Sequence, residues 1–175
     1  MNILARVLKS QKALVNWKQA RVLIVDEISM LSAELFDLLD FIGKQVRRVD
    51  RPFGGLQLIL CGDFLQLPPV SRASEPYAFQ AKTWAGAGLD EGTIVLAQQH
   101  RQINDSEFVS MLNELRRGIC SQQTVEALDS CHTHRKPPPT DGILPTQLYC
   151  TNRDVDQENE ERLKQLRGDG VVFTA

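Results

Sequence analysis

Leu56-Gln57-Leu58-Ile59-Leu60-Cys61-Gly62-Asp63-Phe64-Leu65-Gln66-Leu67-Pro68-Pro69-Val70 is the stretch on which the reading of this chain turns. Its first five residues are mostly apolar and are entered through Gly54-Gly55, the composition of a parallel strand covered on both faces. Directly beyond stand an acid, Asp63, and an amide, Gln66. Ligands of open α/β sheets sit at the carboxyl ends of strands, so these side chains fall where chemistry is expected and could sense a nucleotide phosphate. Pro68-Pro69 then excludes a helix and stiffens the exit.

A second strand of the same kind precedes it. Val22-Leu23-Ile24-Val25 runs into Asp26-Glu27 and has the form of a Walker B element. An Asp there can hold Mg²⁺, usually through water, while a neighbouring Glu can take a proton from attacking water. The same acids would also suit a helix N-terminus, where unpaired amides and the dipole favour negative charge. Their pairing with the acid-and-amide block at the next strand end favours the nucleotide reading.

The chain has 175 residues, 42% hydrophobic and 24% charged, which describes an ordinary globular protein able to bury one core and part of another. No apolar run approaches the roughly 18 residues of a spanning helix, and the first twenty residues do not resemble a signal peptide, so an intracellular protein without membrane contact is expected. A net charge of −2 gives no global attraction to nucleic acid. One local patch exists: Lys44, Arg47, Arg48 and Arg51 recur at helical spacing opposite Leu35, Leu38, Leu39, Ile42, Val46 and Val49. It reads first as a solvated helix face and second as a contact for DNA backbone or another domain. The four cysteines do not suggest a disulfide framework, and Cys61 reads as a small core residue. Cys120, Cys131, His132 and His134 match no standard zinc-finger spacing, so no zinc site is expected.

Along the chain, residues 2–18 carry one amphipathic helical pattern. Ser32 caps a second helix carried towards Arg51 and stopped by Pro52. Tyr77, Phe79 and Trp84 lie in an irregular stretch and read as anchors of a surface loop rather than platforms for bases. Thr93-Ile94-Val95-Leu96 reads as a third strand. A helix from Asp105 has Phe108, Met111, Leu112 and Leu115 on one face, Arg116 and Arg117 in its last turn and Gly118 after it. Ser121 to Leu128 reads as a short helix, Pro137-Pro138-Pro139 as a linker, and Thr146 to Cys150 as a strand leading into a charged helix capped around Thr151.

Taken in order, Asp26-Glu27-Ile28-Ser29-Met30, Arg51-Pro52-Phe53-Gly54-Gly55-Leu56-Gln57, Gly62-Asp63-Phe64-Leu65-Gln66-Leu67-Pro68-Pro69-Val70 and His100-Arg101-Gln102 resemble the petite-integration-frequency (PIF) family of superfamily 1B DNA helicases. The block from Asp37 to Gln57 resembles that family's own signature, which separates it from RecD-type enzymes. The resemblance implies an α/β P-loop NTPase (RecA-like) fold: residues 1–135 the C-terminal part of the first lobe through motif IV, 136–142 the linker, 143–175 the start of the second lobe. It further implies an ATP-dependent, Mg²⁺-using enzyme that moves 5′ to 3′ on single-stranded DNA and unwinds duplexes, acting as a monomer in genome maintenance (repair, recombination, telomere upkeep) in the nucleus or mitochondrion. Carried over by position, Asp26 would hold Mg²⁺, Glu27 would polarise the attacking water, Gln66 would contact the γ-phosphate and Arg101 would stabilise transition-state charge. His100 stands where family members more often have an aromatic residue.

One departure is larger. No Gly-x-x-x-x-Gly-Lys-[Ser/Thr] occurs in the 175 residues. The chain therefore reads as a middle piece of a helicase core that does not hydrolyse ATP by itself. The competing reading is a naturally truncated, non-catalytic regulator that binds DNA or a helicase; a RecD-like ATPase is disfavoured by the Arg51 to Gln57 block.

Overall fold

The computed structural model describes residues 3–70, 75–98, 100–102, 104–132, 135, 140, 146–166, 168 and 171. They form two compact units, Met1–Ile119 and Cys120–Ala175. The division falls ahead of the stretch read as a linker, most of which lies outside the described residues.

In the first unit, α1 (Ile3–Lys9) and α2 (Gln11–Gln19) replace the single helix expected over residues 2–18. Ser10 breaks it by adopting an extended conformation, and its hydroxyl accepts the Ala13 N–H to cap α2. The strands β1 (Val22–Val25) and β2 (Gln57–Leu60) then pair in parallel, Val22 opposite Gln57 and Val25 opposite Leu60. Their crossover is α3 (Ala33–Arg47), capped by Ser32, whose hydroxyl accepts the Leu35 N–H. A parallel pair requires such a crossover, and α3 buries Phe36, Ile42 and Val46 in making it. It ends at Arg48, in the left-handed region at φ 57°, well before Pro52.

The stretch read as a family signature is a tie between α3 and the turn at Pro52–Gly55. Asp40, 4% exposed, accepts the Phe53 N–H at 2.7 Å and pairs with Lys44 at 2.8 Å. That bond holds Phe53 at φ 52°, ψ 29°, a conformation costly for an aromatic residue, and Phe53 is fully buried against Phe36. Gly43 lets the turn approach: a Cβ there would lie 2.7 Å from the Phe53 carbonyl carbon. The Arg47 guanidinium donates to the carbonyls of Gly54, Trp17 and Ala20 at 2.7 to 2.9 Å. The basic patch is thus corrected in part. Lys44 and Arg47 are engaged inside the unit, because a guanidinium fork over a cluster of unpaired carbonyls gains more there than in water.

The core gathers Ile28, Phe36, Phe53, Leu56, Ala78 and Trp84. Tyr77, Phe79 and Trp84 pack around Phe64 with ring centroids 4.8 to 6.1 Å away, so the loop aromatics act as anchors as expected. Asp37 accepts the amides of Lys82 and Thr83 and the Thr83 hydroxyl, which fastens α4 (Lys82–Gly86) to α3.

Two expected strands are absent. Thr93–Leu96 and Thr146–Cys150 form no strand and pair with no other strand among the described residues; Ile94, Val95, Leu96 and Leu148 are 83 to 91% exposed. Strand propensity forms no ladder unless a partner edge comes within hydrogen-bond reach. Cys61, expected in the core, is exposed. α5 (Ser106–Arg116) begins where expected, capped by Asp105. In the second unit, α6 (Gln122–Ser130) and α7 (Asn152–Gln165) are capped by Ser121 and Thr151. No described helix is long and apolar enough to cross a membrane.

Candidate functional site

Because β1 and β2 run side by side in the same direction, their carboxyl ends deliver Asp26-Glu27 and Gly62-Asp63 to one edge. The ladder continues past the strands: the Cys61 N–H donates to the Val25 carbonyl at 2.9 Å and the Ile28 N–H to the Cys61 carbonyl at 3.0 Å. Gly62, at φ 152°, permits this closeness; a Cβ there would lie 2.8 Å from the Ile28 nitrogen. Between the acids the chain turns sharply. Glu27 takes the left-handed conformation at φ 52°, ψ 48°, and its N–H donates to Asp26 Oδ1 at 2.9 Å. A non-glycine residue there is strained by roughly 1 to 2 kcal/mol, a cost found where a side chain must be presented in one direction. Both carboxylates are exposed, and no Lys or Arg among the described residues pairs with them.

At the second strand end Asp63 organises the turn. Its Oδ1 accepts the Leu65 N–H at 3.0 Å, and its Oδ2 accepts the Gln66 side-chain amide at 3.3 Å. Gln66 also donates its backbone N–H to the Asp63 carbonyl at 2.9 Å. The Arg116 guanidinium, from the last turn of α5, meets the same carboxylate with both terminal nitrogens, Nη2 lying 2.9 Å from Oδ1 and Nη1 bonding Oδ2. Burial alone would raise the Asp63 pKa, but the Leu65 amide, Arg116 and Gln66 outweigh it and hold the carboxyl below its ordinary value. An open cleft of about 660 Å³ leads from Asp63 and Arg116 along β2 to Thr93–Leu96.

Of the four residues picked out from the sequence, Asp26 and Glu27 stand at the end of β1 beside Gly62, and Gln66 is bonded to Asp63 in the turn after β2. Arg101 lies exposed in a turn ahead of α5, and among the described residues no hydrogen bond or ion pair engages it. The pairing of Arg116 with Asp63 was missed. Fifty-three residues separate them, and the only available signal was the need of a half-buried acid for a partner. The donor set at Asp26 and Glu27 is all hard oxygen, open to solvent and unneutralised, which fits a hydrated Mg²⁺. The β-phosphate cradle is not among these residues.

Residues 2–126 match the family described as PIF1-like helicase. Over 174 residues the chain is 43% identical to the ATP-dependent DNA helicase PIF1 of Saccharomyces cerevisiae (strain YJM789), a match covering 97% of this chain and 20% of that protein. The chain thus spans about a fifth of the length of this curated relative. Among solved structures, the crystal structure of the Pif1 helicase from Candida albicans superposes with a TM-score of 0.79 at 39% identity, covering 97% of this chain and 38% of that one. The Bacteroides Pif1 helicase in complex with ADP-AlF3 and single-stranded DNA gives 0.74 at 25% identity, covering 91% and 39%. These likenesses match the RecA-like expectation for the fold.

Proposed function

We propose, given that this chain belongs to the PIF1-like helicase family, that the shared carboxyl edge of β1 and β2 is the hydrolytic half of the ATP site of a DNA helicase. In this reading Glu27 accepts a proton from the water that attacks the γ-phosphorus, and the bond from that phosphorus to the β–γ bridging oxygen breaks to leave ADP. Gln66 donates an amide N–H to a γ-phosphate oxygen and registers its departure in the Asp63 to Pro69 turn. Asp26 would hold Mg²⁺, which when bound neutralises phosphate charge. Arg101 supplies positive charge to the transferred phosphoryl group once it is drawn to the site. Turnover drives 5′-to-3′ movement on single-stranded DNA and separation of duplexes by a monomer, serving repair, recombination and telomere upkeep in the nucleus or mitochondrion.

The observation that carries this reading is that adjacent parallel strand ends bring Asp26-Glu27 beside Gly62-Asp63, with Gln66 bonded to Asp63. The test is a chimera in which this chain replaces the matched segment of the Saccharomyces cerevisiae helicase. It is expected to hydrolyse ATP in the presence of single-stranded DNA, and Glu27→Gln is expected to lower kcat by about 10²- to 10⁴-fold. Undiminished turnover by the Glu27→Gln chimera would overturn the assignment. Because the 175 residues contain no phosphate-loop motif, a second reading, a non-catalytic regulator that binds DNA or a helicase, is kept. DNA binding by the isolated chain without ATP turnover, beside an inactive chimera, would favour it.

A further inference from the structure

We infer that Arg116 is a positioning residue for ATP hydrolysis, acting through Asp63 to set the side-chain amide of Gln66. The inference rests on the ATP-site reading above. Gln66 is exposed and lies on a turn, where a side-chain amide would ordinarily rotate freely and present oxygen or nitrogen in either direction. Here Asp63 Oδ2 accepts from Gln66 Nε2 at 3.3 Å, which sets the nitrogen side of the amide. One N–H is then spent on Asp63, which leaves the second as the amide's remaining donor.

The carboxylate that does this is fixed in turn. Its Oδ1 is shared between the Leu65 N–H and Arg116 Nη2, and its Oδ2 between Gln66 and Arg116 Nη1. A planar fork meeting both oxygens defines the carboxylate plane, which a lysine ammonium cannot do. Arg116 also neutralises an anion that would otherwise stand unpaired beside a polyphosphate. The helix α5 is thereby coupled to the phosphate-sensing turn by one ion pair.

The test uses the chimera described above, with Arg116→Ala, Arg116→Lys, Asp63→Asn and the Arg116→Ala, Asp63→Asn double variant, each checked for an unchanged circular-dichroism spectrum and melting curve. Arg116→Ala is expected to lower kcat about tenfold while KM for ATP moves less than about threefold, the signature of a misplaced group rather than of lost binding. Arg116→Lys is expected to recover KM and only part of kcat. The double variant is expected to be no worse than the more impaired single one, because both break one unit. Unchanged kcat in Arg116→Ala, full recovery by lysine, or multiplied losses in the double variant would overturn the inference. A merely structural role would show as a lowered melting temperature with kcat preserved. Failure of the ATP-site reading is separate: it appears as full activity in Glu27→Gln, whatever Arg116 does.

Discussion

Asp40 shows how much one side chain can carry. It takes the N–H of a residue held at positive φ and at the same time neutralises Lys44, all at 4% exposure. Asp40→Ala is expected to lower the unfolding free energy by about 2 to 3 kcal/mol, since it leaves a buried amide unpaired beside a lysine. Asp40→Asn keeps an acceptor and should cost less; equal losses in urea titration would show that the Phe53 bond is not the cause. Ser29 presents the opposite case. It is fully buried, and its hydroxyl has no hydrogen-bond partner among the described residues. Ser29→Ala should therefore stabilise the chain, by about 1 kcal/mol, with a rise in the urea midpoint as the readout. Sequence patterning reads Asp26 and Glu27 correctly as strand-end acids, but nothing in it discloses the strained backbone of Glu27 or the hydroxyl of Ser29.

The helix α3 was recognisable from its cap and its stripe, and Ile42 and Val46 are buried as expected, yet the first turn of its inward face differs. Leu35 is 41% exposed while Phe36 is wholly buried, because the face is chosen by where Phe53 and Trp84 stand. Arg47 illustrates the same point at the helix end. Written as part of an outward basic row, it instead joins α3 to the carbonyls that close α2 and the Pro52–Gly55 turn. Arg47→Lys keeps the charge and loses the fork, and should cost about 2 kcal/mol in chemical unfolding. The neighbouring Arg48 sits in the left-handed position that ends the helix. Arg48→Gly should be neutral or raise stability by up to about 1 kcal/mol, and a loss there would mean that the Arg48 side chain makes a contact of its own.

For the whole molecule, acid is the informative variable. Burial would raise the Asp37 carboxyl, but the hydroxyl and amide of Thr83 and the amide of Lys82 outweigh it and hold it below its ordinary value, as the turn amide and Arg116 do for Asp63. A carboxyl depressed in the folded state contributes stability that is complete above the unfolded pKa, roughly 4, and is lost as pH falls through the lower folded value. The melting temperature should therefore hold from neutrality down to about pH 5 and drop below pH 4. In Asp37→Asn the drop should be shallower, since one of the carboxyls held low no longer titrates. By itself the sequence determined the parallel strand pair, the helix caps, the acids at the strand ends and the family, because these rest on local periodicity, turn chemistry and ordered motifs. Only the tertiary structure decided that Thr93–Leu96 and Thr146–Cys150 pair with no strand among the described residues, that Lys44 and Arg47 turn inward, and that Arg116 reaches Asp63. Strand pairing, the burial of charge and ion-pair partners all depend on which distant backbone edge or carboxylate lies within hydrogen-bond reach, and sequence spacing carries no such distance.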